Sequence, residues 1–245
     1  GHETGAHSLY HETVGDSLFE IPGTYPLLPE EVQPRIKLAT DILEDIVGHK
    51  VVSWRCPRLF GGTHVTNALE ALGYECDATY PMYFYNEQLF PYHPSQENWT
   101  EQGSLNLIEI IQFADMGMES KDDYGRDKDQ WPLYRTQSTE AFIPHIESFM
   151  SFLEKNDQSQ KPIVLCFYFH PWEFWEMPEG VIHFGEGGVL PDPFLTKGCG
   201  KYCLNQVELL IDWLKSKEAE FLTAGQCASK WKNILAKPDI KRTQR

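Results

Sequence analysis

Segments with helical periodicity alternate along this chain with short apolar segments of strand length, and that alternation places it in the α/β class. A strand end at residues 3–8 leads into an irregular stretch over 12–33 that holds Pro22, Pro26 and Pro29. The spacing of Ile36, Ala39, Ile42, Leu43 and Ile46 predicts a helix over 34–47, with Pro34 in its first turn and Gly48 at its end. A strand is expected over 50–55, stopped by Pro57, then a helix over 63–72 closed by Gly73. Further strands are expected over 75–78 and 105–113, separated by an aromatic loop over 80–103. A polar loop runs to Gln137 and a helix follows over 139–153. The most strand-like segment is 162–169, followed by a Gly/Pro-rich loop over 176–200. A helix over 203–216 sets Leu204, Val207, Leu210, Ile211 and Leu214 on one face, and a short strand is expected over 220–222. The last helix opens at Thr223-Ala224-Gly225-Gln226, a capping box in which Thr and Gln satisfy orphan amides reciprocally. No internal repeat or low-complexity linker divides the 245 residues, so they read as a single domain over 1–245.

The longest apolar run, Ile163 to Phe169, is far too short to span a bilayer and argues against membrane insertion. A net charge of −15 argues against nucleic acid or an anionic membrane as partner, because both need a basic face. A neutral or cationic substrate fits that balance, as do acids that serve only solubility. Of the six cysteines only Cys199 and Cys203 are close, with no second pair at metal-ligand spacing, which argues against a zinc ribbon. Free thiols in a reducing compartment are the default, and they favour the cytoplasm.

Three strand ends carry polar groups that a plain core would not need. His7 and His11 stand four apart behind the first strand end, where both can reach one divalent metal. Arg55 ends the strand before Cys56-Pro57, and a guanidinium there calls for a carboxylate partner. His170 ends the most apolar strand, in Phe169-His170-Pro171-Trp172-Glu173. A satisfied core histidine explains His170 as well as a functional one does. Three such ends in one α/β chain favour a shared site.

The run Gly1-His2-Glu3-Thr4-Gly5-Ala6-His7-Ser8-Leu9-Tyr10-His11 resembles the second motif of the polysaccharide deacetylases, the NodB-homology domain of carbohydrate esterase family 4. Arg55-Cys56-Pro57, followed by Asn67 to Tyr74, resembles their third motif and the helix behind it. Cys76 to Thr79 sits where family members carry an aspartate near the site, and Phe169 to Pro171 is similar to their last motif in its His-Pro-Trp-Glu form. Phe221-Leu222-Thr223 is similar to the family's end. The family's first motif, Thr-Phe-Asp-Asp, is not in this sequence, so the resemblance implies an N-terminally incomplete member or a variant that does without those aspartates.

The resemblance implies a deformed (β/α) barrel with the site at the strand C-termini, here without its first strand. It implies a divalent metal, commonly zinc, held by Asp-His-His. His7 and His11 match the metal ligands, His170 the general acid, and Arg55 the arginine that orients the base. Asp77 is the acid it would set to orient His170, and Pro57, Trp172 and Trp175 would line the substrate wall. The implied function is removal of acetyl groups from an N- or O-acetylated glycan, the carbohydrate being the partner, with association between copies of the chain left open. Hydrolysis of a small cyclic amide such as a ureide is the nearest rival. A glycan-binding relative without catalysis is the third reading. The aromatic loop either stacks on sugar rings or caps the hydrophobic interior.

Overall fold

The computed structural model describes residues 1–157, 159, 161–178 and 180–236; the end of the expected domain, 237–245, lies outside them. The elements follow in the order α1 (Pro29–Val47), β1 (Ser53–Trp54), α2 (Thr63–Leu72), β2 (Cys76–Asp77), α3 (Met82–Tyr85), β3 (Ile108–Glu109), α4 (Leu133–Thr136), α5 (Thr139–Asn156), β4 (Ile182–Phe184), β5 (Gly187–Val189), α6 (Pro193–Thr196), α7 (Lys201–Ser216) and α8 (Ala224–Leu235). The fold is mixed α/β. β1, β2 and β3 form a parallel sheet in that order, with Ser53 opposite Cys76 and Asp77 opposite Glu109. Ala6 extends it on the other side of β1 through a parallel bridge to Trp54. Among the described residues this ladder does not close on itself.

The ladder is narrower than the expected strands, but its hydrogen bonds run on past the assigned pairs: Glu75 N to Val52 O at 2.8 Å, Ile110 N to Asp77 O at 2.7 Å and Gln112 N to Tyr80 O at 2.9 Å. α1 and α2 cover one side, burying Ile36, Val65 and Leu69 against Trp54 and Leu107. α5 and α7 bury Phe142, Ile146, Phe149 and Leu210 with the aromatic loop. α8 lays Cys227, Ala228 and Trp231 on Cys76, Ile108 and Ile110. Glu3 ties the two ends of the fold together, its carboxylate accepting from Gly225 N at the start of α8.

Several expectations need correction. α1 begins at Pro29 rather than 34, because proline is accepted in a first helical turn and Glu31 Oε2 takes the Leu28 amide at 3.1 Å. Residues 162–169 form no ladder. Ile163, Leu165 and Phe167 point into the α5/α7 cluster, Val164 and Cys166 pack on the α8 cluster, and Phe113 N donates to Cys166 O at 3.0 Å. Side-chain packing on two sides and this backbone bond hold the segment. The loop over 176–200 contains the antiparallel hairpin β4–β5 and the short α6. α7 buries Cys203, Gln206, Leu210 and Leu214, while Leu204 is exposed. The inward turn of Gln206 is explained by Thr139, whose N and Oγ1 donate to Gln206 Oε1 and O at 2.6 Å each. Residues 220–222 form no strand, and Phe221 and Leu222 are exposed. The aromatic loop is a cap: Tyr80, Tyr92 and Trp99 are buried, with Tyr92 Oη donating to Trp99 O at 2.7 Å.

Candidate functional site

The chain leaves the sheet at the C-terminal ends of its parallel segments, the edge where open α/β sheets carry their sites. His7 follows Ala6 and Arg55 follows β1. Ser8 and His11 both adopt the left-handed region, at φ 63° and 58°, which is uncommon for residues with a side chain. This tight turn brings the two imidazoles together, with ring centroids 5.1 Å apart. His7 Nδ1 lies 2.8 Å from Arg55 O. A carbonyl only accepts, so Nδ1 carries the proton and Nε2 keeps its lone pair. Burial pushes His7 below its ordinary pKa; the bond to Arg55 O opposes this, and the charges of His11, Arg55 and His170 add to it. Burial likewise lowers His11, helped by Arg58 and His170. Both rings therefore stand as neutral imidazoles at neutral pH.

His170 lines the same cavity as His7, His11 and Arg55, a space of about 990 Å³. It opens a 3₁₀ turn over Pro171–Phe174, and this turn brings Glu173 back beneath it. Glu173 Oε1 accepts from His170 N at 2.7 Å and from His170 Nδ1 at 3.0 Å. The same carboxylate takes Trp131 Nε1 at 3.0 Å, Tyr134 Oη at 2.5 Å and Arg135 Nε at 2.9 Å. Burial works to raise Glu173, but the bonds from His170, Tyr134 and Trp131 outweigh it and hold it at about 2. With Nδ1 committed to Glu173, His170 Nε2 is the ring atom left for a ligand. Trp172 stacks on His170 at 5.3 Å and Trp131 meets it edge-on at 5.1 Å.

The acid against His170 is thus Glu173, and Asp77 is elsewhere. Asp77 is buried on β2, bonded to Thr79 Oγ1 and placed opposite Glu109 of β3. Among the described residues Arg55 forms no ion pair with the carboxylate its strand position called for. Its Nε donates to Ala78 O at 2.9 Å and its Nη2 to Cys166 Sγ at 3.3 Å. It is only half-buried and faces the cavity, so its charge stays partly hydrated. Pro57 is buried and does not line the cavity. Trp172 stands behind His170, and Trp175 is 75% exposed outside the lining. The aromatic wall is instead built by Phe19, Trp131, Tyr168, Phe169 and Phe194, with Tyr83 from the aromatic loop. Trp131 lies in a polar loop without periodicity, so nothing in the sequence marks it. Glu173 carried a signal, because Pro at the first helical position with Glu two residues later is a helix-start pattern.

Two neutral imidazoles, one oriented by a backbone carbonyl, suit a catalytic zinc ion. Among the described residues no group of three His, Cys, Asp or Glu side chains is placed to hold a metal, so His7 and His11 would make only two of the usual three protein ligands.

No protein-family model matches the sequence, and no curated protein matches it. Two solved structures that carry the name polysaccharide deacetylase are similar to it. That from Pseudomonas aeruginosa PAO1 is 14% identical, with a TM-score of 0.54 over 95% of this chain and 60% of its own. That from Mycobacterium smegmatis is 17% identical, with a TM-score of 0.39 over 62% of this chain and 46% of its own. This chain therefore spans roughly half the length of these structures. The Pseudomonas likeness covers nearly the whole chain, and the fold is accordingly of the polysaccharide deacetylase kind.

Proposed function

We propose that this chain is a hydrolase of the polysaccharide deacetylase type, which removes acetyl groups from an N- or O-acetylated glycan on an arc of a (β/α) barrel. The observation that carries the reading is the convergence of His7, His11, Arg55 and His170 on one cavity. His7 and His11 would hold a divalent ion, zinc by preference, together with a carboxylate that is not among the described residues. Such an ion, when bound, polarises an acyl carbonyl and lowers the pKa of water. His170 is the general acid: its Nε2 delivers a proton to the leaving amine or alkoxide, which is otherwise a poor leaving group. Glu173 fixes the tautomer of His170 and stabilises the imidazolium before it gives up that proton. Arg55 turns its guanidinium toward the cavity, where it can orient a carboxylate base. A cavity of about 990 Å³ suits several sugar rings better than a small cyclic amide, which favours the glycan over a ureide.

Acetate release from acetylated oligosaccharides tests this reading, with zinc content measured on the same samples. His170→Ala is expected to lower turnover by roughly 10²–10⁴-fold and to leave metal content unchanged. The 245-residue chain is expected to hold zinc weakly, because its described residues supply only two ligands. Unchanged turnover in His170→Ala removes the acid. Sugar binding with no acetate release, even with metal loaded, turns the reading to glycan binding.

A further inference from the structure

We propose that Arg58 makes the histidine end of the cavity a subsite for a carboxylate, so that the preferred substrate is an acylated sugar acid rather than a neutral sugar. The inference rests on the hydrolase reading above and names its substrate class.

Arg58 lies in the 3₁₀ turn Pro57–Leu59 that follows β1, at φ 60° and ψ 12°, and Leu59 after it is also at φ 60°. Two successive side-chain-bearing residues in the left-handed region are costly, and such strain collects at ligand sites. The turn places the guanidinium on the cavity wall beside His11. Its Nη1 donates to His11 O at 3.0 Å and to Thr13 Oγ1 at 3.5 Å. Those contacts use one nitrogen of a group that carries five N–H donors. Among the described residues no carboxylate forms an ion pair with Arg58.

The aspartates of the lining do not compete for it, because each is already held. Asp122 is held by Arg126 at 2.7 Å. Asp127 accepts from Ser120 Oγ at 2.5 Å and Lys121 N at 2.7 Å. Asp129 accepts from Tyr168 Oη at 2.5 Å and Trp131 N at 2.6 Å. The standing positive charges acting on the imidazole pair are Arg55 and Arg58. The acid felt there, Glu12, is engaged by Arg35 at 3.3 Å. In a chain with a net charge of −15, this end of the cavity thus keeps two guanidinium groups without an ion-pair partner among the described residues. The open edge of a guanidinium is a planar fork that matches a carboxylate.

The test is calorimetric binding of methyl N-acetylglucosaminide and of the matching uronide, which differ only in CH₂OH against COO⁻ at C6. The 245-residue chain is expected to bind the uronide about 10-fold more tightly, with the margin shrinking as salt is raised. Arg58→Gln is expected to bring the two sugars within about twofold, and Arg58→Lys, which keeps charge but loses the fork, to fall between. Equal affinities in the unaltered chain, or a preference that survives Arg58→Gln, overturn the subsite and leave the hydrolase reading intact. Binding of neither sugar sinks the glycan class and this inference with it. If Arg58→Gln loses its helical circular dichroism, the contrast between the unaltered chain and Arg58→Lys decides; equal preference in those two overturns the proposal.

Discussion

Glu173 and Arg135 have side chains that are 0% exposed, and they face each other at 2.9 Å. Two charges in such a place survive because each is met by several hydrogen bonds besides the ion pair. Arg135 donates to Lys197 O at 2.6 Å and Phe194 O at 3.2 Å, and Glu173 gathers His170, Trp131 and Tyr134. Glu173→Gln leaves the guanidinium buried without its counter-charge. The expected loss is about 3–5 kcal/mol, read from urea melts, together with a fall in turnover as His170 loses its anchor. The pH dependence has a definite sign. Because the folded pKa of Glu173 is held at about 2, below the ordinary 4.5, its contribution is complete above 4.5 and is lost as pH falls toward 2. Glu173→Gln should lack that acid-side slope.

At the scale of elements, the pairing of β2 with β3 sets Asp77 beside Glu109 inside the sheet. Glu109 Oε1 accepts from Tyr80 N at 2.7 Å and Thr79 N at 3.2 Å, while Asp77 Oδ2 and Glu109 Oε2 find no partner among the described residues. Two buried carboxyl groups side by side cannot both ionise, so at least one of the pair holds a proton. Burial and the charge of Asp77 push Glu109 well up, and burial pushes Asp77 up to about 7. The sign is opposite to that of Glu173. The folded state binds protons that the unfolded chain releases above about pH 4, so this pair loses stability as pH rises from there through about 7. Glu109→Gln is expected to flatten the decline between pH 5 and pH 8 in urea melts. An unchanged slope would show that the pair is not the source. The same pairing explains why Asp77 cannot serve His170: its carboxyl is committed within the sheet.

At the scale of the whole molecule, residues 163–169 are only half-buried and join the sheet through packing and the Phe113–Cys166 bond. Phe221 and Leu222 are exposed just before α8. Unpaired backbone beside exposed apolar side chains is a template for association. Sedimentation of the 245-residue chain is therefore expected to show concentration-dependent self-association, reduced by Phe221→Ser with Leu222→Ser. A monomer at every concentration would remove this expectation. No described helix is long and apolar enough to cross a membrane.

The sequence by itself determined the α/β class, most helix positions and the capping box of α8, because these depend on periodicity and on contacts three or four residues apart. Thr223 Oγ1 and Gln226 Oε1 do exchange bonds with each other's amides. It also named His7, His11, Arg55 and His170, whose polar character at the ends of apolar segments is visible without a fold. What it could not determine are the partners, since these join segments far apart in the chain. Arg55 reaches Cys166 and Ala78, Glu173 draws in Trp131, Tyr134 and Arg135, and Gln206 turns inward to Thr139. Tertiary packing alone assigned Glu173 rather than Asp77 to His170. Sequence spacing records that a polar group sits at a strand end, whereas the burial and hydrogen bonds that decide its partner exist only once the segments are brought together.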